Sequence, residues 1–347
     1  MRIARAVCGR GRCTLSRRLT GVLLLCGLSV TAVATTQAYL KLGVLTPNGV
    51  VGIRWTRPIQ YFVTNRDVDG VTAPQLQATV ARVFGTWGSV PGVALTHSFT
   101  GFTVSEPFVA DGINVVGFRA RPDLERTLAA ATFEINELTG QIIESDIFFN
   151  TAFAWSISAG GQAPRYDLES VGLHEVGHLL GLGHSGLGET EIRPEGGRRV
   201  LGKRAVMFPI AFPPGNIEDR TLEADDRAGI GDIYSSGAGS AGLGSIGGRV
   251  TLGGVGFFGA HVTALNTRTG ELIGGFTLNN NGDFAIGHLA PGVYVVRAEP
   301  LDDADVASYF DEETTVNVNF KPAYYSSLVA VPRGGSGPRI EIKVVSK

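Results

Sequence analysis

The stretch from His174 to Ser185, HEVGHLLGLGHS, constrains this chain more than any other. On a helix, His174 and His178 stand four residues apart, so both imidazoles leave one face with Cβ atoms about 5 to 6 Å apart, which suits a single ion. The spacing predicts a helix over residues 168–182. Gly181 then supplies the positive φ that other residues resist, ending the helix and swinging His184 round as a third ligand. Three imidazoles leave the fourth tetrahedral position of a zinc ion open to water, which separates a catalytic from a structural site. Glu175, beside the first ligand, is placed to take a proton from that water, whose pKa zinc lowers to about 7.

The HExxH part alone arises by accident on amphipathic surface helices. Gly181 and His184 extend it to five fixed positions, in a chain whose other histidines are only His97, His261 and His288. At these residues the sequence resembles the metzincin zinc peptidases, and Ser185, directly after the third histidine, resembles the matrixin branch. The resemblance implies a zinc metalloendopeptidase acting on protein or peptide substrates. In it His174, His178 and His184 hold one zinc and Glu175 is the general base.

It also implies that Met207, in the run AVMFP from Ala205 to Pro209, forms a tight turn beneath the metal, with Asp225 and Asp226 bracing that turn from the closing helix. Read from the residues alone, Met207 is the only methionine besides Met1, and a lone methionine is ordinarily a core filler. Asp225 and Asp226 read equally well as the acidic first turn of a helix capped by Thr221. The segment Phe208 to Phe212 is the candidate wall of a substrate pocket. Members of the animal type hold a second zinc with further histidines; this chain has Ala129, Ala130 and Ala131 there, so one zinc is expected. Calcium, common in the family, has Asp111, Glu144 and Asp146 as candidate structural ligands, although carboxylates on strands are more often simply solvated.

A length of 347 residues suggests two domains. Residues 1–38 carry six arginines and no acid, followed by an apolar run from Leu19 to Ala34 and small residues at a cleavage site, the pattern of a signal peptide. The run is shorter than the roughly 20 residues a membrane span needs. A secreted, extracellular protein is expected, or a periplasmic one in a bacterium. Beyond this segment 24 basic residues face 32 acidic ones, which argues against nucleic acid or an anionic membrane as partner. Cys8, Cys13 and Cys26 are the only cysteines. Residues 39–347 can therefore form no disulfide, nor the thiol–zinc contact by which many matrixins stay latent.

Residues 39–234 read as one α+β unit, a metzincin-type catalytic domain with a mixed sheet. Ile59, Tyr61 and Val63 recur at period two, and a capping box from Thr72 to Gln75 opens a helix whose apolar stripe runs through Leu76, Val80, Val83, Phe84 and Trp87. Strands are expected at residues 113–118, 129–135 and 142–149, and Asp167 caps the zinc helix. The charged region holding Arg193, Arg198, Arg199, Lys203 and Arg204 reads as a mobile, solvated loop. Residues 235–248, SSGAGSAGLGSIGG, read as a flexible linker that leaves its flanking domains independently oriented.

Residues 249–347 then alternate apolar runs with Gly and Asn turns, as a small all-β sandwich does. GGRVTL, GAHVTAL and NGDFAIGHLAPGVYVVRAE resemble the carboxypeptidase regulatory-like, prealbumin-like domain, a candidate binder of substrate or cell-surface material. The leading expectation is a secreted zinc endopeptidase. Its rival is a non-catalytic surface or matrix-binding protein on a peptidase fold, and Glu175 discriminates between them.

Overall fold

A computed structural model describes residues 7–8, 41–46, 49–194, 198–235, 237, 240–301, 308–310 and 314–347. The expected signal peptide lies outside the described residues, except for Val7 and Cys8, which run parallel to Thr132 and Phe133.

After a hairpin of β1 (Gly43–Thr46) and β2 (Gly49–Gly52), strand β3 (Ile59–Thr64) buries Ile59, Tyr61 and Val63 and exposes Gln60. Its alternation is that of a strand with one face in a core. Helix α1 (Ala73–Gly88) opens on the expected box: Gln75 N donates to Thr72 Oγ1 and Thr72 N to Gln75 Oε1. Its apolar stripe packs inward, with Leu76, Phe84 and Trp87 fully buried. The remaining strands are β4 (His97–Thr103), β5 (Asn114–Arg119), β6 (Ala129–Asn136), β7 (Gln141–Glu144) and β8 (Ile147–Asn150). The sheet runs β6-β8-β5-β3-β4, with β7 beside β6. Strands β8, β5, β3 and β4 are parallel and β6 is antiparallel, which makes the sheet mixed as expected.

Where a continuous strand is predicted over 142–149, the chain breaks at Ser145–Asp146. The buried Asp146 accepts hydrogen bonds from Phe108 N (2.6 Å), Val109 N (3.2 Å) and Val115 N (2.7 Å). Glu144 accepts from Gly112 N (2.5 Å) and Asp111 N (3.4 Å). These two carboxylates satisfy the main chain of the loop entering β5, a demand that periodicity does not reveal.

Helix α2 (Leu168–Leu179) is capped by Asp167, whose Oδ2 accepts from Ser170 N at 2.8 Å. It ends earlier than the predicted 182, because Gly181 at φ +98 turns the chain away. The indoles lock it in place, Trp87 Nε1 donating to Leu173 O and Trp55 Nε1 to Leu179 O, both at 2.9 Å.

The charged region after the zinc motif is not a mobile loop in its described residues. It forms a hairpin of β9 (Gly188–Ile192) and β10 (Arg198–Lys203), with Arg199 paired to Glu191 at 2.5 Å across the strands and the buried Lys203 paired to Asp219 at 2.5 Å. The first pair is a cross-strand one, and the second ties the hairpin to the segment Glu218–Arg220. Residues 195–197 lie outside the description. Helix α3 (Ala224–Tyr234) starts at Glu223 rather than Thr221, with Glu223 and Asp226 forming the reciprocal cap.

The C-terminal part is a two-sheet sandwich. One sheet holds β11 (Gly244–Leu252), β14 (Asp283–Leu289) and β17 (Ile340–Ser346); the other holds β12 (His261–Asn266), β13 (Leu272–Phe276), β15 (Gly292–Glu299) and β16 (Val329–Val331). Val250, Val262, Ile286, Val296 and Ile342 fill the core between them.

The linker reading of 235–248 fails at its C-terminal end, since β11 begins at Gly244. The glycines there serve close approach rather than flexibility: a Cβ on Gly248 would lie 2.2 Å from Ile340 O. The expected independent orientation is also corrected. Val200, Phe208 and Ile210 from before the linker pack with Phe276, Leu301, Tyr309 and Phe310 from after it in one buried apolar cluster. Ala228 of α3 enters the sandwich core. The two parts share an interface of core quality.

Candidate metal centre

Helix α2 presents His174 and His178 on one face, and the turn at Gly181 returns His184 to them. The glycine is required twice over, by its positive φ and because a Cβ would lie 2.5 Å from Ile53 O. One ring nitrogen from each histidine falls within 4.8 Å of the others, and all three side chains are buried. Among the described residues this is the one group of three or more potential ligands so arranged.

Each Nδ1 meets a main-chain carbonyl: Val206 O at 2.7 Å for His174, Leu182 O at 2.8 Å for His178, and Ser308 O for His184. A carbonyl only accepts, so each Nδ1 carries the proton and each Nε2 keeps its lone pair. The Nε2 atoms of His178 and His184 then face each other as two acceptors 3.1 Å apart, and His174 Nε2 is buried without a partner. A shared cation turns that repulsion into attraction, so the donor set fits a zinc ion bound by neutral imidazoles. Burial and the two neighbouring rings hold the His174 pKa well below its usual value, which keeps it neutral.

Glu175 is fully buried, and no hydrogen bond of normal geometry reaches either carboxylate oxygen. Burial pushes its pKa well above the usual carboxylate range, and the main chain at Ala131 on β6 offsets only part of this. A buried carboxyl left so poorly paired is costly to the fold, and such groups concentrate at functional sites.

Val206 and Met207 form a turn whose first carbonyl is the one that meets His174 Nδ1. Asp226 is the brace: it accepts from Val206 N (2.8 Å), Met207 N (3.1 Å) and Glu223 N (2.9 Å). One carboxylate thus accepts from the methionine turn and caps its own helix, whose N-cap is Glu223 and not the expected Thr221. Asp225 does something else. It accepts from Ser185 Oγ at 2.6 Å and, across the interface, from Gly274 N at 2.8 Å. Burial raises both acids, Asp225 to about 6 and Asp226 to about 7.

Of the candidate pocket wall, Phe208 and Ile210 turn into the cluster shared with the sandwich. Ala211 and Phe212 line a recess with His174, Tyr166, Ser170 and Val171. Asp111, Glu144 and Asp146 do not converge on a cation; the latter two face main-chain N–H groups. Sequence reasoning missed Gly177, where a Cβ would lie 2.3 Å from Met207 Sδ and 2.8 Å from Trp87. Its position inside the HExxH repeat was the available signal. It also missed Ser308, whose contribution is a carbonyl common to all residues.

The imidazole triad on a helix and its glycine turn is the arrangement that a matrixin-like metzincin domain is expected to show. In agreement, residues 54–194 match the family model described as Matrixin. Among curated proteins, the chain is 25% identical over 194 residues to Metalloendoproteinase 4-MMP of Arabidopsis thaliana, a match covering 53% of this chain and 48% of that protein. Metalloendoproteinase 1-MMP of the same plant is 28% identical over 192 residues (52% and 44%), and 2-MMP is 30% identical over 197 residues (53% and 43%). The chain thus spans about half the length of these relatives or somewhat less.

Proposed function

We propose that the chain is a secreted zinc endopeptidase that hydrolyses peptide bonds of extracellular proteins. The observation that carries the reading is the set of three buried, Nδ1-anchored imidazoles whose ring nitrogens converge, with the buried, poorly paired Glu175 next in sequence to the first of them. The relatives' printed names, all metalloendoproteinases, support it.

A zinc ion held by His174, His178 and His184 would supply Lewis-acid chemistry for the attack of water on the scissile carbonyl. Glu175 takes the proton from that water and delivers it to the departing amine nitrogen, as general base and then general acid. Val206, Leu182 and Ser308 keep the imidazoles in the tautomer and orientation that ligation requires. Glu144 and Asp146 act as clamps on the loop entering β5, a role that needs no calcium. The arginine-rich, acid-free start of the sequence supports export.

The test is metal analysis of the purified full chain followed by digestion of a peptide library. One zinc per chain and cleavage lost on chelation are expected. A zinc-loaded chain that cleaves nothing would establish the rival reading, a binding protein on a peptidase fold.

A further inference from the structure

The third histidine is held differently from the first two. His174 and His178 find their Nδ1 partners, Val206 and Leu182, on the same side of the linker. His184 finds its partner in the sandwich, at the carbonyl of Ser308, 124 residues downstream. The segment carrying that carbonyl is anchored. Tyr309 stands edge-on to His184 with ring centroids 6.4 Å apart, and Tyr309 and Phe310 are buried with Phe276 against Phe208 and Ile210.

The loop that follows His184 is gripped by the same neighbour. Asp225 ties Ser185 Oγ (2.6 Å) to Gly274 N of β13 (2.8 Å), and His261 lies so close over Gly186 that a Cβ there would be 2.9 Å from its ring. A ligand mounted on a turn after a glycine has no helix to fix its ring. Its orientation depends on what holds the second nitrogen, and such outer partners set metal affinity.

We propose that the C-terminal sandwich is part of the metal centre: the Ser308 main chain is the positioning partner of His184, and zinc is held tightly only with the sandwich docked. The inference rests on the zinc reading given above. It assigns the sandwich a role in assembling the site, in place of the independent module its glycine-rich approach suggests.

The test measures zinc affinity of the full chain by competition with a chromogenic chelator. A Tyr309→Ala/Phe310→Ala variant, which releases Ser308 without replacing a ligand, is expected to bind zinc 10- to 100-fold more weakly, the usual cost of losing an outer partner. In a His184→Ala background the same pair of changes is expected to have no further effect, because the contact they support is already gone. Val255→Ala, at a position of the sandwich that is 70% exposed, leaves affinity unchanged. If the double variant does not fold, Phe310→Leu, which keeps the cluster apolar, carries the comparison in the same direction. Unchanged affinity, or equal weakening with and without His184, would overturn the proposal. Failure of the wild-type chain to bind zinc at all would instead overturn the zinc reading.

Discussion

Gly177 and Met207 meet where no other side chain fits: a Cβ on Gly177 would sit 2.3 Å from the methionine sulfur and 2.8 Å from the Trp87 ring. The methionine can bend away, but Trp87 is fully buried and its Nε1 is tied to Leu173 O at 2.9 Å. The helix can approach the Met207 turn only because this position has no side chain.

Gly177→Ala is therefore expected to destabilise the protein. Helix propensity favours alanine by about 1 kcal/mol, while overpacking a close-packed site costs about 1 to 3 kcal/mol. Overpacking wins, and the urea midpoint should fall. A rise in the midpoint would show that the turn yields freely.

Glu175→Ala should retain zinc and fold while lowering kcat by about 10²- to 10⁴-fold, the usual worth of a positioned base. Because the carboxyl is buried without adequate partners, its removal is also expected to leave the melting temperature of the metal-free chain unchanged or raised. A marked drop would assign Glu175 a structural task.

Asp226→Ala strips three main-chain donors, at Val206, Met207 and Glu223, of their acceptor. With each of the two buried orphans, Val206 N and Met207 N, worth about 1 to 3 kcal/mol, a loss of at least about 2 kcal/mol is expected from denaturant titration.

Asp146 sets a pH dependence away from the metal. Burial outweighs its three N–H partners and lifts its pKa to about 7. With the folded value above the unfolded one, its contribution is fully present below about pH 4 and is lost as pH rises towards 7. Melting temperatures measured across that window should fall less steeply for Asp146→Asn than for the wild-type chain. Identical slopes would place the dependence on other groups.

Organomercurial treatment is expected to leave the activity of residues 39–347 unchanged, since Cys8, Cys13 and Cys26 all precede them. Activation by the reagent would reveal a latency that needs no thiol.

The ligands were legible because a helix imposes its own ruler: positions four apart share a face whatever the surroundings, and a glycine after the last turn announces the exit. The capping box at Thr72 and the strand at Ile59 were legible for the same local reason. What escaped was non-local or carried by the backbone. Strand β13 is hidden because Gly274 and Gly275 have little strand propensity; at Gly274 the missing side chain leaves room for the His261 ring, 2.7 Å from where a Cβ would lie. The break at Asp146 serves a loop some 30 residues earlier. The linker was misjudged because composition does not distinguish glycine used for freedom from glycine used for contact, as at Gly248.

The separation between His184 and Ser308 bears on the order in which the molecule is built. Chains leave the ribosome amino end first and their domains fold as they emerge, so the two helix histidines and their partners are complete while the last third of the protein is still unmade. If the Ser308 carbonyl is what steadies the third ligand, a nascent or translocating chain carries a loose metal site until its final domain has arrived. Metal-dependent activity in such a partly made chain is then expected to be weak.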